Sequence, residues 1–237
     1  MSSERAFLAT AALLFMGSAA GTIVLCRSMS GGMAMPGGWT MSMAWMRMPG
    51  QTLLGAAMMF TLMWVTMMVA MMLPSLAPIL RHLRGRRWLV AAAYFVVWTL
   101  FGIAAYAAGI ALAAAEMRVQ GLARAVPAAT ASVLFLAGLV QMTYWKAQHL
   151  ACCRVVTLPM TPGLRGAWSE GIRLGVHCIL CCSGLIVVLL VLGVMNLAVM
   201  VLVSAAITIE RLAPHPKIVA RAIGIAVIAA GAIVAFV

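Results

Sequence analysis

The sequence predicts an all-α fold, a polytopic transmembrane helix bundle of about seven spans with its N-terminus in the cytoplasm, and a single integral membrane domain over residues 1–237. Three observations carry that prediction. The chain is 65% apolar and only 8% charged, whereas a soluble domain carries roughly 25% charged residues and covers its surface with them. Seven apolar segments come to the roughly 20 residues that one membrane crossing needs. Lysine and arginine fall mainly on one side of those segments, as the positive-inside rule requires.

The segments are 6–25, 52–73, 88–111, 127–146, 172–192, 195–211 and 217–237. The first carries Ser18 and Ala20 ahead of Gly21, a small-x-small arrangement that signal peptidase accepts. Read as a retained span, its Gly17 and Gly21 form a small-xxx-small patch where a second helix can approach. Pro74 and Pro78 are expected to end the second span and Pro127 to begin the fourth. The apolar stretch from Ile172 to Ile209 is about two spans long and must fold back on itself. Gly193 and Asn196 are its flexible, polar punctuation.

Lys and Arg number 16 against 4 Asp and Glu. Arg5, Arg81, Arg84, Arg86, Arg87, Lys146, Arg154, Arg165, Arg173, Arg211, Lys217 and Arg221 share one side. Arg27, Arg47, Arg118 and Arg124 lie on the other. The richer side is therefore cytoplasmic, and these bases read as topology determinants facing lipid headgroups. The chain has no basic stripe with interleaved aromatics, so the expected partner is the lipid bilayer and not nucleic acid. Trp39, Trp45, Trp88, Trp145 and Trp168 fall near the interfaces as anchors. Four acidic residues in the whole chain argue against a Ca or Mg site. No phosphate loop, Ser-His-Asp set or carboxylate pair is present, so an enzyme is the less favoured class.

Methionine is concentrated between residues 29 and 72. The loop 26–51, placed outside the cytoplasm, contributes Met33, Met35, Met41, Met43, Met46 and Met48 as candidate ligands, and the next span contributes Met59, Met63, Met67, Met68, Met71 and Met72. A thioether is a neutral, soft donor that needs no deprotonation and takes Cu(I) in preference to Zn, Mg or Ca. The alternative is that Met fills gaps in a core or makes a docking surface. Met59, Met63, Met67 and Met71 step by four residues, which stacks them in one stripe, either as packing or as a ladder of sulfurs.

A second cluster lies in the fifth span, where His177, Cys178, Cys181 and Cys182 fall within an arc of about 140° on a helix turning 100° per residue. The preceding segment adds His149, Cys152 and Cys153 and is expected to fold back beneath them. Thiols and imidazoles suit Cu(I), Zn(II) or thiol redox chemistry; buried cysteines also serve as small hydrophobes. Glu210 is expected to neutralise Arg211 or another cytoplasmic base.

Several stretches together resemble a bacterial family of predicted metal-binding integral membrane proteins. They are Trp64 through Ser75 with Pro78, Gly138 through Gln141, Lys146, Cys152 to Arg154, His177 through Cys182, Gly193 through Leu197, and Glu210. The resemblance implies metal binding at Met67, Met68, Met71, Met72, Cys152, Cys178, Cys181 and Cys182. The chain departs from the family in Ser183, where an aromatic residue is usual, and in Arg211, where a lysine is.

The reading favoured by residues and resemblance together is a copper-handling protein of the bacterial inner membrane. It would capture Cu(I) at the loop, guide it along the stripe and receive it on the Cys/His cluster for uptake, transfer or delivery to a cuproenzyme. Zinc is the second metal considered. The other classes are a non-catalytic subunit or assembly factor of a larger membrane complex, and a membrane thiol redox protein.

Overall fold

The computed structural model describes residues 2–28, 31–46, 50–83, 85–154 and 163–236, with backbone alone at residues 2–3 and 152–154. Its elements in chain order are α1 (Ser2–Ser28), a small hairpin of β1 (Gly32–Ala34) and β2 (Thr40–Ser42), a 3-10 turn over Met43–Trp45, α2 (Leu53–His82), α3 (Arg87–Arg118), α4 (Gln120–Gln141), α5 (Tyr144–Arg154), α6 (Leu164–Leu192), α7 (Leu197–Leu212) and α8 (Pro216–Phe236). The all-α bundle is the predicted architecture. Six helices, α1, α2, α3, α4, α6 and α8, are long and apolar enough to cross a membrane. The seventh expected span is α7, whose 16 residues extend about 24 Å at 1.5 Å per residue. That is short of the ~30 Å of a hydrocarbon core, and the shortness has a consequence for the charges at its end.

The helices alternate in direction, so residues collect at two ends. At the basic end Arg81 pairs with Glu4 at 2.6 Å, and the Arg87 guanidinium lies over the Phe7 ring. At the methionine-rich end Cys26 meets Met200, and the Trp39 indole donates to the Ala123 carbonyl. Within the bundle α4 packs along α8, α3 along α6 and α1 along α2. The α3–α6 seam is close because Gly171 has no side chain: a Cβ there would stand 2.4 Å from the Val90 carbonyl oxygen. Trp64 fills the gap opposite Gly102 and donates to the Trp98 carbonyl at 3.0 Å.

Three boundary expectations fail for one reason. α2 continues through Pro74 and Pro78 to His82, and α4 begins at Gln120, upstream of Pro127. A proline removes one donor, but leaving the helix inside an apolar bundle would strand several backbone groups, so the helix persists. The fold-back falls where the sequence placed it. Gly193 takes a left-handed φ of +111°, and the Asn196 side chain caps α7 by accepting from the Ala198 and Val199 amides. Of the glycine patch in α1, Gly21 faces α2, where a Cβ would stand 3.2 Å from Thr66 Cγ2, while Gly17 faces open space.

Candidate metal centre

The centre of the molecule is built on one face of α6. Cys178 and Cys182 are one turn apart and Cys181 lies between them, so helical geometry alone brings three thiols to the same side. The sulfurs of Cys178 and Cys182 are 3.9 Å apart and those of Cys181 and Cys182 3.5 Å. All three lie within 4.8 Å of one another. Each residue is at most 1% exposed, and the three are free thiols.

Around them stands a polar shell that helices α2, α3, α4, α5 and α7 supply. The Tyr94 hydroxyl on α3 donates to Cys178 Sγ at 3.0 Å. The Arg211 guanidinium on α7 reaches Cys178 Sγ at 3.3 Å and Ser75 Oγ at 3.0 Å, and the Ser75 hydroxyl donates to the Met72 carbonyl. On the other side Lys146 Nζ, on α5, donates to the Cys181 carbonyl at 2.5 Å and pairs with Glu210 Oε2 at 2.8 Å. Gln141 Nε2 completes the carboxylate by donating to Oε1 at 2.7 Å.

One sequence expectation is corrected by these contacts and one is narrowed. Lys146 and Arg211 are not among the headgroup-facing bases: they are 1% and 4% exposed. α7 is too short to carry its terminal charges out of the bundle, so they end at the level of the thiols. Glu210 neutralises a base as expected, and of the alternatives it is another base of that set, Lys146, and not its neighbour Arg211. Consecutive helical residues diverge by about 100°, so Glu210 turns toward α4 and α5 while Arg211 turns toward α2 and α6. The Lys146–Glu210 pair is internally neutral. Arg211, whose guanidinium is always charged, touches a hydroxyl and a thiol, and its Nε and Nη2 have no partner among the described residues.

His177 does not join the three sulfurs. It sits at the edge of the α6 face, half-buried, and its ring meets that of His149 on α5 with centroids 6.0 Å apart. The segment preceding α6 does fold back as expected. Cys152 lies in α5, and its side chain is outside what is described.

The methionines divide. Met63, Met67, Met68, Met71 and Met72 are buried in the core, whereas Met59 is 43% exposed on the outer surface of α2. The four-residue step that links Met63, Met67 and Met71 lands next on Ser75, the residue that holds Arg211 beside Cys178. In the loop, Met33 and Met41 are partners across the hairpin. Directly paired residues of the two strands share a face, so Met33 and Met41 lie on the same side of it. Met41 is fully buried, Met35, Met43 and Met46 are half-buried, and Met33 is exposed; Met48 lies outside the described residues. The loop is thus a built element, anchored by Trp39 and by the Trp45 ring against Phe60. A further sulfur pair, Cys26 Sγ and Met200 Sδ at 3.9 Å, joins residues 174 positions apart, and no local pattern announces it.

Sequence reasoning missed Tyr94, Ser75, Lys146, Glu210 and Arg211 as parts of this centre. The available signal was polarity next to or within apolar spans, which marks functional positions more often than structural ones. For Tyr94, one aromatic among many on α3, there was none.

No curated protein and no solved structure matches the chain. Residues 61–234, which hold α2 from its third turn, the whole thiol centre and its polar shell, match the family described as PpoB2, copper chaperone. That span is nearly three quarters of the molecule, and the buried thiols it encloses are the donors a soft metal requires: the chain belongs to the PpoB2 copper chaperone family.

Proposed function

We propose that the protein is a multi-pass inner-membrane copper carrier, with its basic end in the cytoplasm, that receives Cu(I) on Cys178, Cys181 and Cys182 and passes it on by uptake or by delivery to a cuproenzyme. The observation that carries this reading is the combination of three buried sulfurs within 4.8 Å with a buried guanidinium that has no carboxylate partner among the described residues. Cu(I) held by two of these cysteines as thiolates, with the third kept as a neutral thiol, bears one net negative charge, which Arg211 offsets. Zn(II) held by the same two thiolates is neutral, leaves the cation uncompensated and lacks the four ligands it ordinarily takes. The cluster therefore suits a monovalent soft ion.

The way in runs along α2. The thioethers of Met63, Met67 and Met71 form a buried line that ends at Ser75. Thioethers bind weakly and exchange, thiolates hold more tightly, and such an order gives a gradient from the methionine-rich end to the centre. Cysteines kept reduced at the inner end fit a cytoplasmic orientation. The family likeness supports copper as the cargo.

The test is titration of detergent-purified protein with Cu(I) under reducing conditions against a competing chelator. One equivalent should bind at the centre, with sulfur neighbours in X-ray absorption, and Cys178→Ser or Cys182→Ser should remove it. Copper content indifferent to both substitutions would falsify the assignment.

A further inference from the structure

His149 and His177 have no role in the thiol centre, yet their rings meet and each carries a buried nitrogen left over. Each has its Nδ1 buried and without a hydrogen-bond partner among the described residues. A buried imidazole nitrogen left unpaired costs free energy, and two such atoms on rings in contact across one helix seam call for a common explanation. Both rings are half-buried between α5 and α6, and the Trp145 ring packs edge-on against His149 at 4.5 Å, which fixes that imidazole.

The separation fits one shared ion. An imidazole nitrogen sits about 2.0 Å from a bound late first-row ion, which puts the ion about 3.2 Å from the ring centre. Two rings sharing one ion then have centres roughly 5.5–6.4 Å apart, from a bent to a linear arrangement. The observed centroid distance is 6.0 Å.

We infer that His149 and His177 form a second metal site, a two-nitrogen site for Cu(I) in the seam between α5 and α6, beside the thiol centre but separate from it. Imidazole accepts Cu and Zn alike, but two ligands satisfy a two-coordinate monovalent ion and leave Zn(II) short of its usual four. His177 adjoins Cys178 in the chain, so an ion leaving the thiols finds this pair next. The site's occupancy does not depend on the thiols binding metal, although its place as a transfer station rests on the copper reading.

The experiment separates the two. Protein carrying Cys178→Ser, Cys181→Ser and Cys182→Ser together should keep one equivalent of Cu(I), with nitrogen neighbours near 2.0 Å and no sulfur near 2.3 Å. Adding His149→Gln or His177→Gln should lower that equivalent at least ten-fold. Should the triple variant fail to fold, wild-type protein supplies the same answer. It should bind two equivalents, the second lost in either histidine variant, with a nitrogen shell appearing in X-ray absorption only as the second is loaded. A sulfur-only spectrum at two equivalents, copper content unmoved by both histidine variants, or uptake of Zn(II) without Cu(I) each overturns the site.

Discussion

The two sulfur-rich regions of this molecule are built on opposite principles. The hairpin and its flanks, at the methionine-rich end, present neutral thioethers in half-exposed positions on a small two-stranded element, without a charge among the candidate ligands. The centre holds three thiols, a guanidinium and an ammonium–carboxylate pair, almost wholly removed from solvent. The match to the copper chaperone family covers the second and begins after the first. The comparison shows where binding strength and where access are expected to reside. A charged, buried site holds its ion tightly and specifically, while a neutral, partly open one exchanges it.

The largest expected effect is at the thiols. Cys182, in contact with both other sulfurs, should cost at least a hundred-fold in Cu(I) affinity when replaced by Ser, read by chelator competition. Replacing the six candidate loop methionines, Met33, Met35, Met41, Met43, Met46 and Met48, by Leu should leave that affinity within about three-fold. A loop variant that loses binding outright would reverse the comparison.

Next comes the polar shell. Glu210→Gln leaves Lys146 charged, buried and unpaired, a change that costs about 3–5 kcal/mol where measured, so the thermal midpoint should fall markedly. Lys146→Met with Glu210→Gln together should recover most of the loss, because the pair is removed as a unit. Arg211→Met should weaken Cu(I) binding about ten-fold and relax discrimination against Zn(II), whereas Arg211→Lys should retain most of both. Equal metal selectivity in wild type and Arg211→Met would remove the charge argument.

The stripe sharpens the contrast further. Met67→Leu and Met71→Leu conserve volume and should change stability by less than about 1.5 kcal/mol. They should nonetheless slow copper transfer into the centre several-fold in a vesicle assay, with affinity unchanged. The smallest effect is expected at Met59, which is exposed on the helix surface: Met59→Leu should leave transfer as it was.

Much of the fold was legible because apolar length is a local property. The spans, the turn at Gly193 and Asn196, and the fold-back of α5 follow from runs of residue types. The three thiols were legible as a face because helical periodicity is also local. The methionine stripe was partly legible: periodicity grouped Met59 with Met63, Met67 and Met71, yet the helix drifts by about 40° over each four-residue step. α2 is buried only where α1, α3 and α7 cover it, and Met59 lies outside that cover while the others stay inside.

What the sequence alone determined, then, is the class of molecule and the identity of its donors: an apolar, arginine-flanked chain must bundle its helices, and cysteines at i, i+3 and i+4 must share a side. What only the tertiary structure decided is which charges are drawn in. Arg211, Glu210 and Lys146 look interfacial in the chain, and the shortness of α7 together with the docking of α5 places them at the thiols instead. His177 leaves the sulfurs for His149 by the same logic. Both outcomes depend on contacts between helices distant in sequence, and no local spacing encodes the depth at which a helix ends.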